Sequence, residues 1–193
     1  MSEPIWVPLG GGPGPQGPPG SSGAGIGIAL PASPVNDQEY ILVDSLTAPT
    51  YQWLFRYLAA KASNKWLFIG GARAYAEVQT NEGTVSTSYV ALATPGPSLI
   101  VPVAGDYIVE HGFISTTIKP NYMSYDIGAT AAVDADRVET ALSGMIDGTG
   151  TASRIRRKSL GAVTLTAKYA GYGGQNAGFK SRWIAITPVA VGG

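Results

Sequence analysis

Residues 99–115, LIVPVAGDYIVEHGFIS, constrain the fold more than any other stretch of this chain. An apolar β-branched run meets a Pro and Gly break, then continues as a longer alternating run. Tyr107, Val109, His111 and Phe113 share one parity; Ile108, Glu110, Gly112 and Ile114 share the other. A period of two sends each set to its own face of a sheet. The stretch therefore reads as two consecutive strands joined at Ala104 and Gly105. No comparable helical period occurs elsewhere, so the chain is expected to be all-β.

Turn signals extend that reading. Strands are expected over 39–44, 51–57, 65–69, 74–79, 87–92, 98–103, 106–117, 122–127, 153–160, 162–169 and 179–188, with a weak one near 137–142. Spacing of ~8–12 residues between turn signals points to a sandwich or barrel. Within 51–57, Tyr51, Trp53, Phe55 and Tyr57 fall on one parity, giving a strand with a wholly aromatic face. With Trp66 and Phe68 they form an aromatic unit suited to a buried face or a chain–chain interface. Four segments follow: residues 1–10, a stalk and linker over 11–36, a small aromatic β unit over 37–72, and a jelly-roll-like β-sandwich over 73–193.

The stalk is defined by spacing. Gly11, Gly14, Gly17, Gly20 and Gly23 recur at every third position with prolines between. Collagen requires glycine at that period because no side chain fits at the three-chain axis. A flexible single-chain linker would not need the register. Five triplets are marginal alone, so a triple helix here would depend on a trimeric domain.

Composition narrows the partners. The 193 residues carry 13 basic and 13 acidic side chains and no cysteine. Zero net charge provides no electrostatic reason to expect nucleic acid or an anionic membrane. Disulfides and thiolate metal sites are excluded. No apolar run approaches the ~20 residues of a membrane span, and residues 1–6 lack the basic and apolar regions of a signal peptide. Synthesis in a cytoplasm, without membrane insertion, is expected.

Few residues suggest chemistry. His111 is the only histidine and falls on an apolar parity, which suits a hydrogen-bonded core residue better than a catalytic base. Asp134, Asp136, Glu139 and Asp147 are oxygen donors, but they lack the spacing of a calcium loop and read as solvated carboxylates. No catalytic residue, metal or cofactor is expected. Arg154, Arg156 and Lys158 share a strand face and could meet an anionic polymer or an acidic neighbour. A solvated face that deters edge pairing is the plainer reading. The best candidate for ligand contact is the Gly-rich loop with Tyr169, Tyr172, Gln175, Asn176 and Phe179. Aromatic faces beside amides suit saccharides.

Two resemblances bear on function. Pro102, Gly105 and Tyr107 ahead of an apolar strand, with the closing run of Trp183, Ile184, Ala185, Ile186, Thr187 and Pro188, resemble the C1q/TNF-like jelly rolls. Those domains often follow collagen-like stalks and form trimers. The Gly-X-Y tract, the run Asn64, Lys65, Trp66, Leu67, Phe68, Ile69, Gly70, Gly71 and the β-domain after it are similar to minor tail proteins and fibres of tailed bacteriophages. The resemblance implies a homotrimeric, non-enzymatic virion protein, assembled in the host cytoplasm, that binds host-surface glycan. Residues 1–9, with Ile5 and Trp6 as apolar anchor, would attach it to other virion proteins. A head fibre or capsid decoration protein shares this architecture. A glycan depolymerase is the enzymatic alternative and would need a pair of facing carboxylates such as Asp134 and Asp136.

Overall fold

A computed structural model describes residues 23–140 and 150–192. The anchor residues Ile5 and Trp6, the glycines Gly11, Gly14, Gly17 and Gly20, and Asp147 lie outside the described residues; Gly23 is the first residue within them and is exposed.

The described residues form thirteen strands: β1 (Gly25–Gly27), β2 (Glu39–Val43), β3 (Gln52–Tyr57), β4 (Trp66–Gly71), β5 (Ala74–Val78), β6 (Glu82–Thr84), β7 (Ser98–Val101), β8 (Gly105–Ser115), β9 (Asn121–Ile127), β10 (Val138–Thr140), β11 (Gly150–Leu160), β12 (Val163–Gly171) and β13 (Ala177–Val191). They make a β-sandwich. One sheet runs β1-β2-β3-β4-β13-β8-β11, with β5 and β6 also on β13; the other runs β10-β9-β12-β7. Taking β5 and β7 to β13 as eight strands, the sheets order first-eighth-third-sixth and second-seventh-fourth-fifth. That is jelly-roll winding.

β13 organises the larger sheet. One edge pairs with β8 over most of its length; the other edge is shared end to end by β6, β5 and β4. A bulge at Ser181, whose φ is 45°, lets Phe179 and then Arg182, Ile184 and Ile186 all face inward despite their change of parity. On β8 the expected alternation is realised: Tyr107, Val109, His111 and Phe113 are buried, while Ile108, Glu110 and Ile114 are half-buried. Gly112 on the outer face has no room for a side chain. A Cβ there would lie 2.4 Å from the Trp183 ring and 2.3 Å from the Ala152 carbonyl oxygen.

The two halves of 99–115 are separate strands, as read, but they do not pair. β7 belongs to the small sheet, beside β12, and β8 to the large one, beside β13 and β11. Residues 102–104 carry the chain across the sandwich, and the Tyr107 hydroxyl closes the corner by donating to the Val103 carbonyl at 2.6 Å.

Three expectations are corrected. The aromatic segment 37–72 has no separate sheet: β4 pairs with β13 through Trp66 and Leu67. Trp53 is fully buried in the common core, 6.2 Å from Tyr107 and stacked on Tyr51 at 4.0 Å, with its indole N–H donating to the Ala72 carbonyl at 2.9 Å. So large an apolar face needs a covering layer, and the interior of the sandwich supplies it. The linker reading fails for 25–27, which pair in parallel with β2, and Leu30 packs on the core. Residues 87–92 form no strand. Ser86 accepts from the Ser88 N–H and donates to the Ser88 carbonyl, turning the chain locally, and only Val90 bridges to Tyr169.

Candidate functional site

The Gly-rich loop divides into core and surface. Tyr169 and Phe179 are fully buried; their rings pack at 4.9 Å, and the Tyr169 hydroxyl donates to the Gly96 carbonyl at 2.7 Å. They are not ligand contacts, because β12 and β13 extend further into the loop than expected and both residues land on inward parity. Tyr172, Gln175 and Asn176 remain exposed, with Tyr172 at the head of a 3-10 turn over Tyr172–Gly174.

Tyr172 joins residues that sequence reading did not group with it. Its N–H donates to the Pro120 carbonyl at 3.3 Å, next to β9, where Tyr122 lies beneath the Arg137 guanidinium at 4.6 Å. Arg137 pairs with Glu139 at 3.0 Å and Asp134 at 3.6 Å; Asp134 also accepts from the Tyr89 hydroxyl at 2.8 Å. Burial and the nearby Glu139 carboxylate raise the Tyr122 pKa, so the phenol stays protonated. The result is a strip of three tyrosines and three charged groups on the outer side of the small sheet. No single periodicity could reveal it, because its members come from four separate segments.

The expected basic face is only partly solvated. β11 is an edge strand, and its even positions point into the sandwich. Arg154 donates to the Arg137 carbonyl, and Lys158 contacts the Asp136 carboxylate and sits 5.4 Å above the Tyr125 ring. Only Arg156 of the three stays exposed; Arg157, of opposite parity, pairs with Asp106 at 2.9 Å. The carboxylates expected to be solvated separate as well. Asp134 is exposed and Asp136 is 2% exposed, so the two do not face each other across a groove.

His111 is a core residue, edge-on to Tyr125 at 5.0 Å. Neither ring nitrogen meets a partner at good hydrogen-bond geometry among the described residues, although the Asp136 backbone lies close enough to favour the protonated ring. Burial lowers its pKa to about 4, opposed by the backbone and the carboxylate of Asp136 and reinforced by the charges of Arg154 and Lys158. Arg182 is fully buried, with one nitrogen 3.4 Å from Glu82, its guanidinium 5.2 Å from the Tyr169 ring centroid, and Nε and Nη2 unpartnered among the described residues. Only the bulge at Ser181 turns it inward, so its placement had no signal in the sequence.

The fold and the site together define a jelly-roll sandwich with an aromatic, hydrogen-bonding strip on one outer sheet. No protein-family model and no curated protein matches the chain.

Proposed function

We propose that this chain is a structural virion protein of a tailed bacteriophage, a trimeric tail fibre or minor tail protein that attaches to the host surface. The observation that carries the reading is a jelly roll placed C-terminal to a tract with glycine at every third position. A short tract of this kind needs a trimeric partner domain to hold register. The strip of Tyr89, Tyr122 and Tyr172 with Arg137, Asp134 and Glu139 supports contact with saccharide. Phenol rings offer flat apolar faces, and the charged groups offer hydrogen bonds to hydroxyls. Residues 1–9 would attach to neighbouring virion proteins.

The test combines assembly and location. Light scattering on the full chain should give the mass of three copies, and a stable monomer defeats the trimer. Gold labelling of intact particles should mark the tail. A label on the head selects the decoration reading, and unlabelled particles overturn the virion assignment.

A further inference from the structure

Lys158 and Asp136 meet between the two sheets. Lys158 lies on β11 of the large sheet; Asp136 ends the 3-10 turn over Asp134–Asp136 that leads into β10 of the small one. The lysine Nζ contacts Oδ2 of the carboxylate. The Asp136 side chain is 3% exposed, and its other oxygen, Oδ1, has no donor among the described residues. Tyr125 walls the site: its ring lies beneath Nζ and packs against His111. Arg154, the strand partner of His111, is held by the Arg137 carbonyl. An amine whose side chain is 22% exposed and a carboxyl group that is 3% exposed therefore touch, beside the buried imidazole of His111.

We propose that Lys158 and Asp136 become joined by an intramolecular isopeptide bond. A proton passes from the Lys158 ammonium to the Asp136 carboxylate, leaving a neutral amine and a carboxylic acid. The Nζ lone pair attacks Cγ, and the tetrahedral intermediate expels one carboxyl oxygen. That oxygen leaves as water with two protons that began on Nζ. The Nζ–Cγ bond forms, one Cγ–O bond breaks, and nothing is oxidised or reduced. His111 packs edge-on against the same Tyr125 ring that lies beneath Nζ, which places it as the candidate proton relay for the step.

Two physical effects favour the step. Fixed contact replaces a bimolecular encounter, with effective molarities of ~10⁵–10⁸ M for well-oriented groups. Condensation also removes a buried ion pair, whose desolvation cost is substantial, and leaves a neutral amide. The chain has no cysteine, so a disulfide is not open to it as a covalent staple. A second lysine–aspartate pair provides an internal contrast. Lys168 and Asp126 lie 3.2 Å apart, their side chains 23% and 25% exposed, on neighbouring outward positions of β12 and β9. The lysines are alike, 22% exposed at Lys158 and 23% at Lys168, so the contrast lies in the carboxylates: water reaches Asp126 but hardly Asp136, and no bond is expected at Asp126.

Intact-mass spectrometry of the folded full chain tests the proposal. The mass should fall about 18 Da below the sequence value, one water lost. Trypsin should then leave the peptide containing Asp136 joined to the one beginning at Lys158. The K158R variant keeps the charge and should show its full sequence mass, and H111F should form the bond more slowly. A wild-type mass equal to the sequence value overturns the proposal. So does a water loss that maps to Asp147 and Gly148, as a cyclised backbone, or to Lys168. The wild-type measurement decides the matter even if the variants fail to fold.

Discussion

Two buried polar clusters lie on the same pair of strands, β8 and β9, and they are built in opposite ways. At one end Asn121 donates to the Ser115 hydroxyl at 2.6 Å and to the Gly178 carbonyl at 2.8 Å, and accepts from Thr117 at 3.2 Å; Ser115 in turn donates to the Thr117 carbonyl at 2.9 Å. At the other end His111 and Asp136 are equally buried; Oδ1 of Asp136 has no partner among the described residues, and the His111 nitrogens have none at good geometry. The first cluster has the character of structure: every group that lost water has regained a bond, and three chain segments are tied together. The second retains unspent proton-transfer capacity beside an amine. Buried polar groups cost about 1–3 kcal/mol each when unmatched. Closing the first network therefore matters for stability, whereas the second is where chemistry and pH dependence concentrate.

The largest effect should come from breaking the matched cluster. Asn121→Leu strips partners from Ser115 and from the Gly178 carbonyl, and should cost about 3–5 kcal/mol in urea unfolding. A loss below about 1 kcal/mol would mean that the network is not what holds the 115–121 turn to β13.

Acid should act on the unmatched cluster. His111 has its folded pKa lowered to about 4 from 6.5, so the unfolded chain takes up the proton first. This contribution to stability is complete above about pH 6.5, declines as pH falls through that window, and levels off below about 4. The total is roughly 3 kcal/mol. Burial is the main cause and is the same whether or not Lys158 and Asp136 are joined. H111F should flatten this part of the pH–stability curve, and an unchanged slope would place the titration elsewhere.

The smallest effect sharpens the contrast. Thr140 sits opposite Asn121 in the β9–β10 ladder, yet its hydroxyl is buried and has no partner among the described residues. Thr140→Val should be neutral or stabilise by up to about 1 kcal/mol. Clear destabilisation in the same urea assay would show that the hydroxyl is bonded.

Much of the fold was legible. The alternation in 106–117 grouped the residues of β8 by face and put His111 in the core, and the parity of Trp53 and Phe55 pointed to a buried or interface position. Each reading depends only on neighbours two positions apart, which is the range over which a strand's geometry is local. The candidate site was legible only in part. Tyr172, Gln175 and Asn176 were identified as exposed, but Tyr169 and Phe179 were not separated from them, because a glycine-rich stretch does not reveal where strand pairing stops. Tyr89, Tyr122 and Arg137 were missed altogether, since residues from distant segments carry no shared pattern.

The sequence by itself determined an all-β chain, its approximate strands, and the face-by-face grouping of side chains in 51–57 and 106–117. Alternation and turn residues are local properties, and they survive without knowledge of partners. Only the tertiary structure decided that β7 and β8 lie in different sheets, that the aromatic strands continue the large sheet, and that Lys158 meets Asp136. Pairing is a choice among distant segments, made by which arrangement buries the most apolar surface while satisfying the backbone. A bulge of one residue, as at Ser181, then reassigns every side chain beyond it.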